Sequence, residues 1–132
     1  MLELFKTYLG IALGSALGGM ARFGIGSFVD RQTSGTFPWG TVLVNISGCF
    51  LIGLFAQATS PEGRAWINPQ WRLLLMVGVC GGYTTFSSFS LQTLNQLRDG
   101  DVLKAVMHVL LSVLLCLAAT WGGEAAGMLA GR

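Results

Sequence analysis

One uncharged run, from Leu73 to Leu97, restricts what this chain can fold into more than any other feature. Its 25 residues are enough to cross a bilayer core, which takes about 20 apolar residues. A glycine pair, Gly81 and Gly82, and six hydroxyl side chains interrupt the run in its middle. Because lipid offers no hydrogen-bond partners, interrupted backbone at membrane depth is tolerated only where protein buries it or where it lines a wet cavity. The run therefore predicts a permeation or binding element rather than a helix that faces lipid.

The chain as a whole has the composition of a membrane protein. Only 11% of its residues are charged, against about 25% in soluble domains, and its mean hydropathy is +0.62. The net charge of +2 gives no indication of a nucleic-acid partner. We therefore predict an all-α membrane protein with a single domain, residues 1–132, whose third helix is broken at Gly81 to Thr84. Its four transmembrane helices are predicted at about 7–29, 39–60, 72–97 and 103–124.

Basic residues are almost evenly divided between the two sides of the membrane that four spans define. Lysine and arginine in short loops normally set the orientation of a membrane protein, so an even division leaves it weakly specified. Either the chain has one orientation fixed by other means, or it inserts both ways and pairs with itself as an antiparallel homodimer. We favour self-association, because four short helices are few to enclose a pathway. The two sides carry Lys6, Arg64, Arg72 and Arg132 against Arg31, Arg98 and Lys104.

Arg22 lies 15 residues beyond Thr7, deep in the first span. Charged side chains at such depth are rare and usually turn towards the protein interior. No acidic residue lies within any of the four uncharged runs, so an inward Arg22 would favour anions. Alternatively, the first span ends near Arg22 and its side chain extends to the lipid headgroups. If Arg22 instead caps carbonyls of a neighbouring helix, its role is structural.

Two polar stripes are predicted on the second and fourth helices. Asn45 lies one helical turn after Thr41, and His108, Ser112 and Cys116 recur every four residues. A single buried asparagine or histidine more often joins neighbouring helices than binds a ligand. Their alignment, however, indicates a file of polar groups that leads along the helix.

Phe86 and Phe89 lie three residues apart, on one face of the helix that follows the break. Such pairs usually belong to a core, yet the edge of an aromatic ring is positive and can face a small anion. Thr84 and Ser87 would place hydroxyl groups beside them. Backbone carbonyls freed by the break would suit a hard monovalent cation such as sodium.

Three motifs resemble those of the Fluc (CrcB-type) fluoride channels. They run from Gly18 to Arg22, from Phe37 to Asn45 and from Gly78 to Phe89, in the order in which the family carries them. The resemblance implies a fluoride-selective channel in the plasma (bacterial inner) membrane, which exports fluoride passively and relieves its toxicity. It also implies an antiparallel, dual-topology homodimer with two pores and a central structural sodium ion.

The resemblance further implies roles for individual residues, within these motifs and on the fourth helix. Asn45 would donate to fluoride, and Phe86 and Phe89 would line each pore. Cys116 and Gln92 depart from the family, which more often carries a hydroxyl and a glutamate at these positions. The remaining assignments are Thr85, Ser87, His108 and Ser112 along the pore, Arg22 and Thr41 at its vestibule, and the carbonyls of Gly81 and Thr84 on sodium.

Two other functions compete with the channel. Small dual-topology drug exporters also have four short helices, but they carry an acidic residue in the first helix, where this chain has Arg22. A membrane scaffold would use the same polar residues only to join helices. An enzyme is not expected, because the sequence has no nucleophile–base pair, metal-ligand cluster or phosphate-binding loop.

Overall fold

Four helices that are long and apolar enough to cross a membrane make up the computed structural model, which describes residues 1–60 and 67–130. This agrees with the predicted all-α architecture of four spans. Arg64 and Arg132, which entered the charge comparison, lie outside the described residues. The elements are α1 (Leu2–Gln32), α2 (Trp39–Ala58), α3 (Pro69–Leu73), a π-helix (Leu74–Cys80), α4 (Gly81–Tyr83), α5 (Phe86–Arg98) and α6 (Val102–Ala130). The third span comprises α3, the π-helix, α4 and α5.

The first helix extends beyond the apolar segment from 7 to 29 at both ends. An exposed ion pair between Lys6 and Glu3, 2.8 Å long, lies in its first turns. At its other end the carboxylate of Asp30 accepts a hydrogen bond from the backbone N–H of Gly40, 2.8 Å away. An N–H in the first turn of a helix has no partner within that helix, so Asp30 satisfies one of the open donors of α2. This bond joins α1 to the start of α2.

Glycines allow α1 to lie directly against the third span. A methyl group on Gly14 would come within 3.1 Å of the Cα of Gly78, and one on Gly18 would overlap the carbonyl oxygen of Val79. Small residues at such contacts let membrane helices approach closely enough to gain packing energy. Gly19, which follows Gly18, has no atom within 4 Å of the corresponding position. The packing role is thus specific to one face of α1.

Helices α2 and α6 run parallel to each other and pack closely. A methyl group on Gly53 would overlap the backbone carbonyl of Thr120, and one on Gly123 would overlap that of Phe50. The contact continues one turn later at Gly127, against Leu54. Because the contacts advance together along both helices, positions 45 and 112 face each other two turns before Gly53, and positions 49 and 116 one turn before it.

The break in the third span falls later than the predicted Gly81 to Thr84. Gly81 has helical angles, φ −65° and ψ −36°, and α4 continues to Tyr83. The extended residues are Thr84, with ψ 158°, and Thr85, with φ −149° and ψ 118°. The prediction was wrong for the glycines because Gly82 serves helix packing: its Cα faces the backbone of Ser15. Only the last residue of the predicted interval belongs to the break.

The third span also contains a π-helix, Leu74–Cys80, which the sequence did not predict. π-helical turns are rare and often occur close to functional sites. This one packs against α1 through Gly78 and ends directly before α4. The π-helix connects the part of the third span that contacts α1 to the part that contains the break at Thr84.

Candidate functional site

Asn45 stabilises the break in the third span through hydrogen bonds to its backbone. Its Nδ2 donates to the carbonyl oxygen of Thr85 at 3.0 Å, and its Oδ1 accepts from the N–H of the same residue at 2.8 Å. Both residues are buried, so these bonds satisfy backbone groups that would otherwise be costly. An amide nitrogen carries two hydrogens, and one of them remains after the bond to Thr85. Asn45 therefore joins two helices and still has one N–H.

The same contact affects the carbonyl of Gly81. In a continuous α-helix, the N–H of residue 85 would donate to the carbonyl oxygen of residue 81. Here the Thr85 N–H donates to Asn45 instead, so the Gly81 carbonyl loses its usual helical partner. Gly81 is also exposed on the surface of the chain. A backbone oxygen in this situation is a suitable ligand for a monovalent cation.

Hydroxyl groups are concentrated at the start of α5. The Thr85 Oγ1 accepts from the backbone N–H of Ser88 at 3.1 Å, which makes Thr85 the N-cap of the helix. It also lies 3.3 Å from the Ser87 hydroxyl and 3.1 Å from that of Ser88. The Thr84 hydroxyl points the other way and donates to the carbonyl of Cys80 at 3.0 Å.

The two phenylalanines lie together, as predicted, but in different environments. Their ring centroids are 5.2 Å apart at an interplanar angle of 54°. Phe89 is only 8% exposed, whereas Phe86 is 77% exposed on the surface of the single chain. Phe89 also meets His108 at 4.9 Å and 73°, an edge-to-face contact that fixes the orientation of its ring.

His108 is the most enclosed polar side chain of the candidate site, with no exposed surface. Its Nδ1 lies 3.1 Å from the Oγ1 of Thr93, whose hydroxyl also donates to the carbonyl of Phe89 at 2.8 Å. A hydroxyl has a single hydrogen, so with that hydrogen on Phe89 the oxygen accepts from the Nδ1–H of His108. The Nε2 of His108 has no hydrogen-bond partner in the described part of the chain.

Ser112, one turn after His108, is buried and its hydroxyl has no partner among the described residues. The same holds for the Oε1 of Gln92 and for both amide atoms of Gln96. Buried polar groups are nearly always paired, so such atoms mark positions where water or an ion fits. Gln96 was not predicted as a site residue, although two glutamines four residues apart in one span are a detectable signal.

Several of these elements meet at a cavity of about 300 Å³. Among the described residues, no carboxylate, lysine or arginine lines it. His108 and Ser87 lie beside it rather than in its wall. Its polar, aromatic and thiol lining consists of Asn45, Thr84, Thr85, Ser112, Phe86, Phe89, Cys49 and Cys116.

Arg22 and Thr41 line a second cavity, of about 310 Å³, which shares Thr85 with the first. Arg22 is half-buried and forms no ion pair with any described residue. Asp30 and Gln92 line the same cavity. Arg22 thus lines a cavity that adjoins the first one at Thr85.

Comparison with known proteins gives a consistent result. The model of the family described as "CrcB-like protein, Camphor Resistance (CrcB)" matches residues 9–124. A protein of Methylocella silvestris is 56% identical over 117 residues, which cover 89% of each chain. One of Paramagnetospirillum magneticum is 49% identical over 126 residues, 96% of this chain and 98% of the relative. Both relatives carry the name "Fluoride-specific ion channel FluC". The chain belongs to the CrcB-type (Fluc) family of fluoride channels that its sequence motifs resemble.

Proposed function

We propose that this protein is a fluoride-selective channel that lets fluoride leave the cell passively through the plasma membrane and so relieves its toxicity. One observation carries the proposal: residues of three separated segments, α2, the third span at its break and α6, converge on a cavity that no described charged residue lines and whose wall includes the unpaired Ser112 hydroxyl. The names of the relatives support fluoride as the ion. The chemistry of the cavity supports the same ion independently.

Fluoride is small and strongly hydrated, so a selective pore has to replace its water with compact donors. The remaining N–H of Asn45 and the hydroxyl of Ser112, which has no partner among the described residues, provide such donors on facing helices. The edges of the Phe86 and Phe89 rings add positive potential without a formal charge. A pore without a fixed cation binds the anion weakly enough to release it, which conduction requires.

The charges of the site also favour passive conduction. A proton-coupled exporter needs a group that binds and releases protons along its path, usually a carboxylate. None of the described residues that line the cavity carries a carboxylate, and Gln92, a neutral amide, lines the adjoining cavity. Arg22, in the adjoining cavity, would attract anions to the vestibule without binding them in the pore itself, and Thr41 would add a hydroxyl there.

The functional unit in this proposal is an antiparallel homodimer with two pores. Phe86 and Ser87 are exposed on α5 although they belong to the candidate filter, and Gly81 is exposed on α4. A second copy covering this face would enclose the path, and the even division of basic residues allows the opposite orientation that such a copy needs. Each pore would then be completed by both subunits.

A sodium ion between the two subunits would hold them together. The carbonyls of Gly81 and Thr84 fit this ion, since oxygen dipoles suit a hard cation and the Gly81 carbonyl has lost its helical partner to Asn45. The ion would supply a fixed positive charge at the centre of the membrane. Asn45 would thus support both the pore and the dimer.

The test is fluoride efflux from liposomes that contain the purified protein, followed with a fluoride electrode. Fast efflux that excludes chloride, and that is lost in Phe86→Ile and in Asn45→Asp, supports the channel. In Asn45→Asp the acceptor for the Thr85 N–H remains, so the change acts mainly through the lost donor and the added negative charge. Proton-coupled uptake of a cation would instead identify an exporter, and absence of any flux would identify a scaffold.

A further inference from the structure

Two cysteines on different helices face each other beside the candidate path. Gly53 contacts the backbone of Thr120, and Cys49 and Cys116 lie one helical turn before these residues on α2 and α6. Both are free cysteines and half-buried. The parallel packing of α2 and α6 therefore places two sulfur atoms at one level of the membrane.

Both sulfur atoms are accessible from the cavity of the candidate site. Cys49 and Cys116 line the same 300 Å³ cavity as Asn45 and Ser112. The third cysteine, Cys80, is only 2% exposed and does not line that cavity. The chain therefore offers an internal comparison between paired and isolated thiols.

We propose that Cys49 and Cys116 form a binding site for a soft, thiophilic d¹⁰ metal ion of the Hg²⁺, Ag⁺ or Cu⁺ class. Such ions bind two thiolates and need no third ligand from the protein, whereas hard cations prefer oxygen ligands. When the ion binds, each S–H bond breaks, two sulfur–metal bonds form and two protons pass to water. No oxidant or reductant takes part in this step.

The consequence for transport rests on the proposed function. A metal ion held by these sulfurs would lie at the level between Asn45 and Gly53 on α2, within the cavity that fluoride would cross. It would fill space in that cavity, while the two thiolates would balance the charge of Hg²⁺ and outweigh that of Ag⁺ or Cu⁺. Fluoride would be excluded from the occupied path, so the bound ion would block conduction.

Metal binding can be measured without any transport. The full-length protein in detergent is titrated with mercuric chloride in the presence of excess glutathione, and retained mercury and the ultraviolet thiolate–mercury absorption are measured. Simultaneous attachment to two groups raises affinity by about 100-fold or more over attachment to one. The wild type and Cys80→Ser should each retain one equivalent per chain, and Cys49→Ser and Cys116→Ser should bind about 100-fold more weakly.

Several results would overturn the site: no retained mercury in the wild type, full retention in either single variant, or loss of retention in Cys80→Ser. Elution volume on gel filtration identifies variants that do not fold, and Cys49→Ala and Cys116→Ala then replace the serine variants.

Liposome flux separates this inference from the proposed function. If the protein retains mercury but shows no fluoride flux in the absence of metal, the channel is refuted and the metal site is not. If it shows fluoride flux in the absence of metal but retains no mercury, the metal site is refuted and the channel is not. Unaltered flux with mercury bound would contradict the placement of the site in the path.

Discussion

At the scale of single residues, the candidate site contains polar atoms that differ in whether they form hydrogen bonds within the protein. Asn45 is engaged in two hydrogen bonds with the Thr85 backbone, whereas the Ser112 hydroxyl has no partner among the described residues. The sequence identified both residues because polar side chains stand out in an apolar span. It did not reveal the pairing, since Asn45 and Thr85 are 40 positions apart and meet only through the register of α2 against the break.

Ser112→Ala separates a transport role from a structural one. Removing a buried hydroxyl that has no partner costs no hydrogen bond and is neutral or slightly stabilising. We therefore expect the thermal unfolding midpoint in detergent to stay the same or to rise, while fluoride flux in liposomes falls. Ser34→Ala, in the exposed connection between α1 and α2, is the matched control and should change neither quantity. A clear loss of stability in Ser112→Ala would show that the hydroxyl has a structural partner.

At the scale of helices, glycines determine which faces meet. The hydropathy of the sequence predicted four spans because apolar composition is a local property. The π-helix and the position of the break were not predictable in this way, since both depend on contacts between segments. The contact of Gly82 with Ser15 and the bonds of Asn45 to Thr85 place the break after the glycine pair rather than at it.

Two adjacent glycines of α6 test the packing of α2 against α6. A methyl group on Gly123 would overlap the Phe50 carbonyl, whereas one on Gly122 would have no atom within 4 Å. We expect Gly123→Ala to destabilise the folded protein by about 1–3 kcal/mol, the usual cost of overpacking. Gly122→Ala should be neutral or stabilising by up to about 1 kcal/mol, because alanine favours a helix. Equal effects on the unfolding midpoint would argue against the close approach of these two helices.

The break predicts a specific effect of sodium. An ion that binds only the folded protein stabilises it by mass action, so the thermal unfolding midpoint should rise with sodium concentration and not with N-methylglucamine at equal ionic strength. Asn45→Leu should reduce this dependence, because the Thr85 N–H becomes free to bond the Gly81 carbonyl as in a continuous helix. Thr41→Val, one turn away on the same helix, should preserve it. Equal midpoints in the two cations would contradict the sodium site.

At the scale of the whole molecule, the chain is a multi-pass membrane protein with four helices able to span the bilayer. The prediction that it is not an enzyme is confirmed, because it belongs to a family whose members of 49% and 56% identity are named ion channels. The family was recognisable from sequence because each of its three motifs is a short, continuous stretch of the chain. The exposure of Phe86 on the single chain could not be predicted from the sequence, because it depends on how α5 packs against α6 and α2.

Dual topology makes a prediction about the termini. A cleavable tag at the C-terminus should be accessible from each side of the membrane in comparable fractions of the molecules. Adding three lysines after the C-terminus should shift the chains towards one orientation, since positive charge is retained in the cytoplasm. Because an antiparallel pair needs both orientations, flux per molecule should then fall. Accessibility from one side only in the unmodified chain would contradict the antiparallel dimer.

The proposed function requires that this protein conduct fluoride selectively and passively. The most direct test is the reversal potential of the current through the protein in a planar bilayer, with a tenfold fluoride gradient and equal chloride on both sides. A fluoride-selective pore predicts a reversal potential of about 59 mV in magnitude, with the sign of fluoride equilibrium. A reversal potential near zero, or one that follows an imposed chloride gradient, would contradict the account.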